Sequence, residues 1–155
     1  MSGKIAARLA ELGIELPAGN TPRGKYVPYV ITGNLVFIAG QGPRRNGEMI
    51  YAGKVGKDLD IAGGQAAAAL CTVNLLSHLA TACGGNLDRV RRAVRIAGLV
   101  NCGPDFTEHA KVMDGASSLL HEVFGEVGSH ARIASGAMSL PSNMAVEVEG
   151  VFEID

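Results

Sequence analysis

From Ile61 to Cys83 the chain is rich in Ala and Leu, carries no proline, and ends on the pair Gly84–Gly85. Such a run is long enough only for a helix, and the glycines are suited to closing it. Its small side chains bring whatever it packs against close to its axis. The segments around it are strand-like, so the helix has to lie on a sheet. Val90 to Val100 is rich in Val and Ile, and the pair Pro104–Asp105 then opens a second helix, Phe106 to Phe124, with Val112, Leu119, Leu120 and Val123 toward the core.

Upstream, Tyr26 to Ile31 and Leu35 to Ala39 are strand-like runs separated by Thr32, Gly33 and Asn34, a hairpin signal. The turn at residues 44–47 leads into a third short strand, Met49 to Ala52. Two last strands, Ala131 to Met138 and Ala145 to Phe152, are joined by Ser139–Asn143. Ser2 is placed to cap an N-terminal helix carrying Ile5, Leu9 and Leu12, which Gly13 and Pro17 end. The expected class is α+β: one mixed sheet of about six strands with two main helices on one face, in a single domain of residues 1–155 whose residues 1–20 are a helical extension. At 155 residues one core is the default.

Side-chain parity in the last two strands suggests what the uncovered sheet face does. With a hairpin loop centred near Pro141, Gly136 lies opposite Glu147, and Arg132, Ala134 and Gly136 share a face with Glu147 and Glu149. The helices then take the other set: Ile133, Ser135, Ala137, Val146 and Val148. A face of small and charged residues meets either water or another subunit.

Charge and cysteine usage exclude several classes. Fourteen basic residues stand against fifteen acidic ones, so there is no electrostatic footprint for nucleic acid or an anionic membrane. Arg89, Arg91, Arg92 and Arg95 cluster without interleaved aromatics, as on a solvated strand edge. Cys71, Cys83 and Cys102 are an odd set without metal-ligand or disulfide spacing, which points to a reducing compartment and no metal. Charges at Lys4, Arg8 and Glu11 interrupt the N-terminus, and no apolar run spans a bilayer, so a cytoplasmic location is expected. The Gly63–Gly64 pair lacks phosphate-loop spacing. Cys102 has no base partner identifiable in the sequence. Of the histidines, His78, His109 and His121 fall within helices, while His130 stands two residues before Arg132.

Residues 130–141, HisAlaArgIleAlaSerGlyAlaMetSerLeuPro, followed by MetAlaValGluValGluGly at 144–150, resemble the C-terminal signature of the Rid/YjgF family. PheIleAlaGlyGlnGlyPro at 37–43 is similar to that family's second strand, and Tyr29 to its N-terminal site tyrosine. The match covers roughly residues 25–153, and the longer N-terminus and the segment 44–56 look like a branch often labelled endoribonuclease. The resemblance implies a chorismate-mutase-like fold, a homotrimer around a central barrel, and clefts between subunits that take a small carboxylate metabolite. It also implies hydrolysis of 2-aminoacrylate or 2-iminobutyrate to a 2-keto acid and ammonia, with no metal or organic cofactor. Carried over residue by residue, Arg132 holds the substrate carboxylate and Glu147 orients the attacking water. Tyr29 lines the cleft from the neighbouring chain, and Ala39, Gly40, Gln41 and Ala134 complete its wall. Two positions depart from the pattern of active deaminases: Ala39 replaces a serine, and Ala134 a cysteine. A non-catalytic carboxylate-binding trimer is the competing reading, and an endoribonuclease a third, for which the histidines form no obvious set.

Overall fold

The computed structural model describes residues 3–155. Ser2, expected as a helix cap, lies outside them. Helix α1, Lys4–Glu11, is capped instead from a distance: the Asp88 carboxylate accepts from the main-chain N–H groups of Ile5 and Lys4, each at 2.9 Å. Those two bonds hold the Asp88 carboxyl below its ordinary pKa. Leu9 of α1 is buried in the same hydrophobic cluster as the sheet and the other helices, so the N-terminal segment belongs to the core.

Strands β1 (Tyr29–Thr32) and β2 (Leu35–Gln41) form the expected hairpin, turning at Gly33 in the left-handed region. The short strands β3 (Arg44–Arg45) and β4 (Glu48–Met49) pair only with each other. This corrects the expected six-stranded sheet. The Asn46–Gly47 turn, with both φ angles positive, closes the ribbon on itself and leaves it outside the main sheet. Helix α2, Ile61–Ala82, starts on Asp60, whose side chain accepts from the Gly63 N–H at 2.7 Å. It is followed by β5 (Val90–Asn101), α3 (His109–Phe124), β6 (Ala131–Ala137) and β7 (Val146–Ile154).

The main sheet has five strands in the order β1-β2-β7-β5-β6, with β5 and β6 parallel and the other pairs antiparallel. Both long helices pack on one face, α2 against β2 and β7, and α3 against β5 and β6. They approach each other closely. A Cβ at Gly115 of α3 would come within 2.2 Å of the Gln65 carbonyl oxygen of α2, main chain that has no room to yield. Val36, Ile38, Ile96, Val100, Val146, Val148 and Phe152 fill the helix-covered face.

Strands β6 and β7 therefore do not form a hairpin. Strand β5 lies between them, and the β5–α3–β6 stretch is a parallel crossover unit. The register reverses the expected parity of β6. Ile96, Gly98 and Val100, which face the helices, stand beside Arg132, Ala134 and Gly136, whereas Ala97 and Leu99 stand beside Ile133 and Ser135. Glu147 and Glu149 pair with Leu99 and Ala97 on the open face, as expected for β7. Within one chain Arg132 and Glu147 thus lie on opposite faces of the sheet. The open face is also more apolar than expected, with Val30, Phe37, Leu99 and Ile133 each at least 40% exposed.

Candidate functional site

A one-residue bulge in β2 organises the open-face site. Between Ile38 and Gln41 the register with β7 advances three residues against two, from Gly150 to Val148. The extra residue turns Gln41 inward, where it is buried, and lays Gly40 against Glu147. A Cβ at Gly40 would lie 2.4 Å from Glu147 Oε1, so the bare main chain at this position is what lets the carboxylate rest there. Gln41 Nε2 donates to the Ala39 carbonyl at 3.0 Å and braces the bulge.

Glu147 is half-buried, and its carboxyl is pushed above the ordinary value, first by burial and then by Glu149 two residues along the strand. It borders a cavity of about 160 Å³ whose other walls include Arg23, Gly40, Gln41, Arg44 and Ser142. On its other side it borders a hollow of about 250 Å³ on the open face, with Leu99, Ile133, Ser135 and Glu149. Tyr29 and Ala39 border a third hollow, beside Phe37 and Arg95. Of the expected site residues, Gly40, Gln41 and Glu147 are thus brought together, with Tyr29 and Ala39 one step away.

Arg132 and Ala134 belong to a different neighbourhood. The main chain of Arg132 lies open on the sheet edge, but its side chain is only 24% exposed because it folds over α3. Arg132 Nη1 donates to Asp114 Oδ1 at 2.9 Å and to Ser117 Oγ at 3.0 Å, and Nη2 donates to the Ala110 carbonyl at 3.3 Å. His130 extends the network. Its Nδ1 lies 2.6 Å from the Gly128 carbonyl and so carries the proton, which leaves Nε2 to accept from the Ser117 hydroxyl at 2.9 Å. Burial, the largest effect, lowers the His130 pKa, in keeping with a neutral ring.

Asp114 and Ser117 had a sequence signal: with Ala110 they recur at i, i+4 and i+7, a stripe flanking the apolar face of α3. Cys102 also gains a partner, His109 Nε2 at 3.4 Å, which the sequence did not reveal because residues 103–108 form an irregular loop between them. Both flank Gly136, where a Cβ would meet His109 Nε2 at 2.7 Å and Cys102 Sγ at 2.9 Å. No cluster of three or more potential metal ligands occurs among the described residues. No helix among them is long and apolar enough to cross a membrane.

Comparison with known proteins agrees with this architecture. The chain is 43% identical to Protein TCP17 of Trypanosoma cruzi over 155 residues, covering 99% of this chain and 96% of that protein. The crystal structure of Atu1372 from Agrobacterium tumefaciens superposes with a TM-score of 0.92 at 44% identity, covering 97% of this chain and 92% of the other. A structure from Shewanella oneidensis MR-1, described as “a putative endoribonuclease”, gives 0.94 at 36% identity over 98% of this chain and all of that one. The family model described as “YjgF/chorismate mutase-like, putative endoribonuclease” matches residues 6–153. With the fold and this near-complete match in agreement, the chain belongs to the YjgF/chorismate-mutase-like family.

Proposed function

We propose that the protein is a cofactor-free hydrolytic deaminase of small enamine and imine acids, working as a homotrimer in the cytoplasm. Its substrate is a small carboxylate metabolite rather than nucleic acid or a membrane surface. The observation that carries this reading is the half-buried Glu147 carboxyl, held against the Gly40 bulge beside a cavity of metabolite size, with its proton affinity raised. A carboxyl of that kind is suited to exchanging a proton with a water beside it. Glu147 takes a proton from water as the oxygen attacks C2 of the imine and gives it to the nitrogen, forming a carbinolamine; it then takes the hydroxyl proton and passes that to the nitrogen as well. The carbon–nitrogen bond breaks and ammonia and a 2-keto acid are left. An enamine first takes a proton at C3 to become the imine.

Arg132 has a place in this scheme only across a subunit boundary. It lies on the opposite sheet face from Glu147 of its own chain, but on an edge strand whose outer side has no partner strand among the described residues. The exposed Val30, Phe37, Leu99 and Ile133 give the open face a reason to associate, since burying apolar area is the main drive to assembly. In the trimer, Arg132 and Ala134 of one subunit close the cleft that Tyr29, Ala39, Gly40, Gln41 and Glu147 of its neighbour begin. The guanidinium holds the substrate carboxylate through two parallel bonds.

A second reading, a carboxylate-binding trimer without turnover, is favoured by Ala39 and Ala134, which put methyl groups where a hydroxyl and a thiol would add proton-handling capacity. Ammonia release from enzymatically generated 2-aminoacrylate separates the two. Deamination predicts release above the spontaneous rate, lost in Arg132→Ala and Glu147→Gln. Binding of 2-oxobutyrate with no such release would leave only the second reading.

A further inference from the structure

The small cavity beside Glu147 holds two cations that the proposed chemistry does not use. Arg23 enters from the exposed loop before β1, and Arg44 from the first residue of β3. Neither belongs to an ion pair among the described residues, although seven other basic side chains do. The one side-chain hydrogen bond from Arg44 goes to the neutral Gly47 carbonyl, at 3.3 Å.

The two guanidiniums are close enough to oppose each other. Burial, and next the charge of Arg23, lower the proton affinity of Arg44. Glu147 borders the same cavity but forms no ion pair with either arginine among the described residues. Two like charges lining one cavity, neither of them ion-paired with the Glu147 that also borders it, form a receptor for an anion. The cavity, of about 160 Å³, has room for a short acid chain.

We infer that Arg23 and Arg44 select a substrate with a second anionic group, so that the preferred class is a 2-imino dicarboxylic acid whose side-chain carboxylate lies between them. This rests on the proposed function for the other carboxylate, which Arg132 of a neighbouring subunit binds. Glu147, bordering the same cavity, then stands beside the reacting carbon between the two anionic ends. A monocarboxylic imine leaves the arginine pair filled only by water and binds more weakly.

Calorimetric titration of the intact protein with 2-oxoglutarate and 2-oxobutyrate, the keto products of the two substrate classes, tests this without requiring turnover. Binding of 2-oxoglutarate is expected to be at least tenfold tighter. Arg23→Ala, a change in an exposed loop, should bring it to within about threefold of 2-oxobutyrate and leave 2-oxobutyrate binding unchanged. Arg44→Lys, which keeps the charge and spares the β3–β4 turn, should retain an intermediate preference. Equal affinity for the two acids, or a preference that survives Arg23→Ala together with Arg44→Ala in a folded protein, overturns the inference and leaves the deaminase reading standing. An arginine-dependent preference with no ammonia release from the imines of either class sinks the deaminase reading and keeps the anion site.

Discussion

Asp114→Asn removes the carboxylate that holds Arg132 in the free chain while keeping the shape of the side chain. Asp114 is 57% exposed and Arg132 is 24% exposed, so their 2.9 Å contact is a partly screened surface pair. Pairs of this kind contribute ~0.2–1 kcal/mol, and Arg132 keeps its bonds to Ser117 and the Ala110 carbonyl. The expected loss is therefore below about 1 kcal/mol, a fall in Tm of no more than ~4 °C for a chain of this size. If Arg132 is the substrate's carboxylate partner, Asp114 competes with the ligand, and its removal leaves 2-oxobutyrate affinity equal or tighter. Arg132→Ala should weaken that affinity by tenfold or more. Thermal denaturation and calorimetric titration of the two variants read both effects. Should Asp114→Asn abolish binding as completely as Arg132→Ala, the pair acts as one structural unit, and the ligand carboxylate does not sit on Arg132.

Three further outcomes follow from the open face. Glu147→Gln should end ammonia release while 2-keto acid binding persists, and it should change the pH dependence of stability. A carboxyl raised by burial binds its proton more tightly in the folded chain, so its stabilising contribution is complete below the ordinary carboxylate range and is lost as pH rises through the raised folded value. The glutamine variant should therefore gain in Tm over the parent at pH 7 and lose that gain below about pH 4, the unfolded carboxylate value; a constant difference across pH would contradict the assignment. Gly40→Ala, placing a methyl 2.4 Å from Glu147 Oε1, should cut turnover toward the level of Glu147→Gln with little change in Tm, because what it displaces is the free end of a flexible side chain. Phe37→Asp and Ile133→Asp, at residues 44% and 51% exposed in the single chain, should leave each chain folded and dissociate the proposed trimer, since burying the exposed half of each apolar side chain contributes on the order of 1 kcal/mol and a buried carboxylate opposes assembly further; a parent protein that sediments as a monomer at micromolar concentration would remove the cleft.

The elements that were legible in the sequence are those whose signals are local. The Ala- and Leu-rich run is α2, and Gly84 and Gly85 end it; the alternation of Val146 and Val148 with Glu147 and Glu149 places β7 on the sheet with the correct faces. The partner of a strand is not a local property, and at β6 this mattered. Its residues, Arg132, Ile133, Ala134, Ser135 and Gly136, form no decisively apolar set in either parity, so the strand accepts whichever face its neighbour dictates. The short link to β7 suggested a hairpin turn. Instead, Ser142 and Asn143 adopt left-handed φ angles of 54° and 55°, and the link carries the chain past β5. The competing signal lay upstream, because a 16-residue helix between β5 and β6 is long enough for the crossover that a parallel pair requires. That single choice of neighbour moved Arg132 from the Glu147 face to the α3 face, where Asp114 and Ser117 receive it. The same reasoning explains why Arg23 and Arg44 could not be paired in advance: one comes from an irregular loop and the other from a two-stranded ribbon, and only the fold brings them to one cavity. A family signature such as ArgIleAlaSerGly identifies the strand but does not say which side of the sheet, or which subunit's cleft, its arginine serves. Within one chain Arg132 and Glu147 lie on opposite faces, so the proposed chemistry requires β6 of one subunit to be laid against the bulge of another.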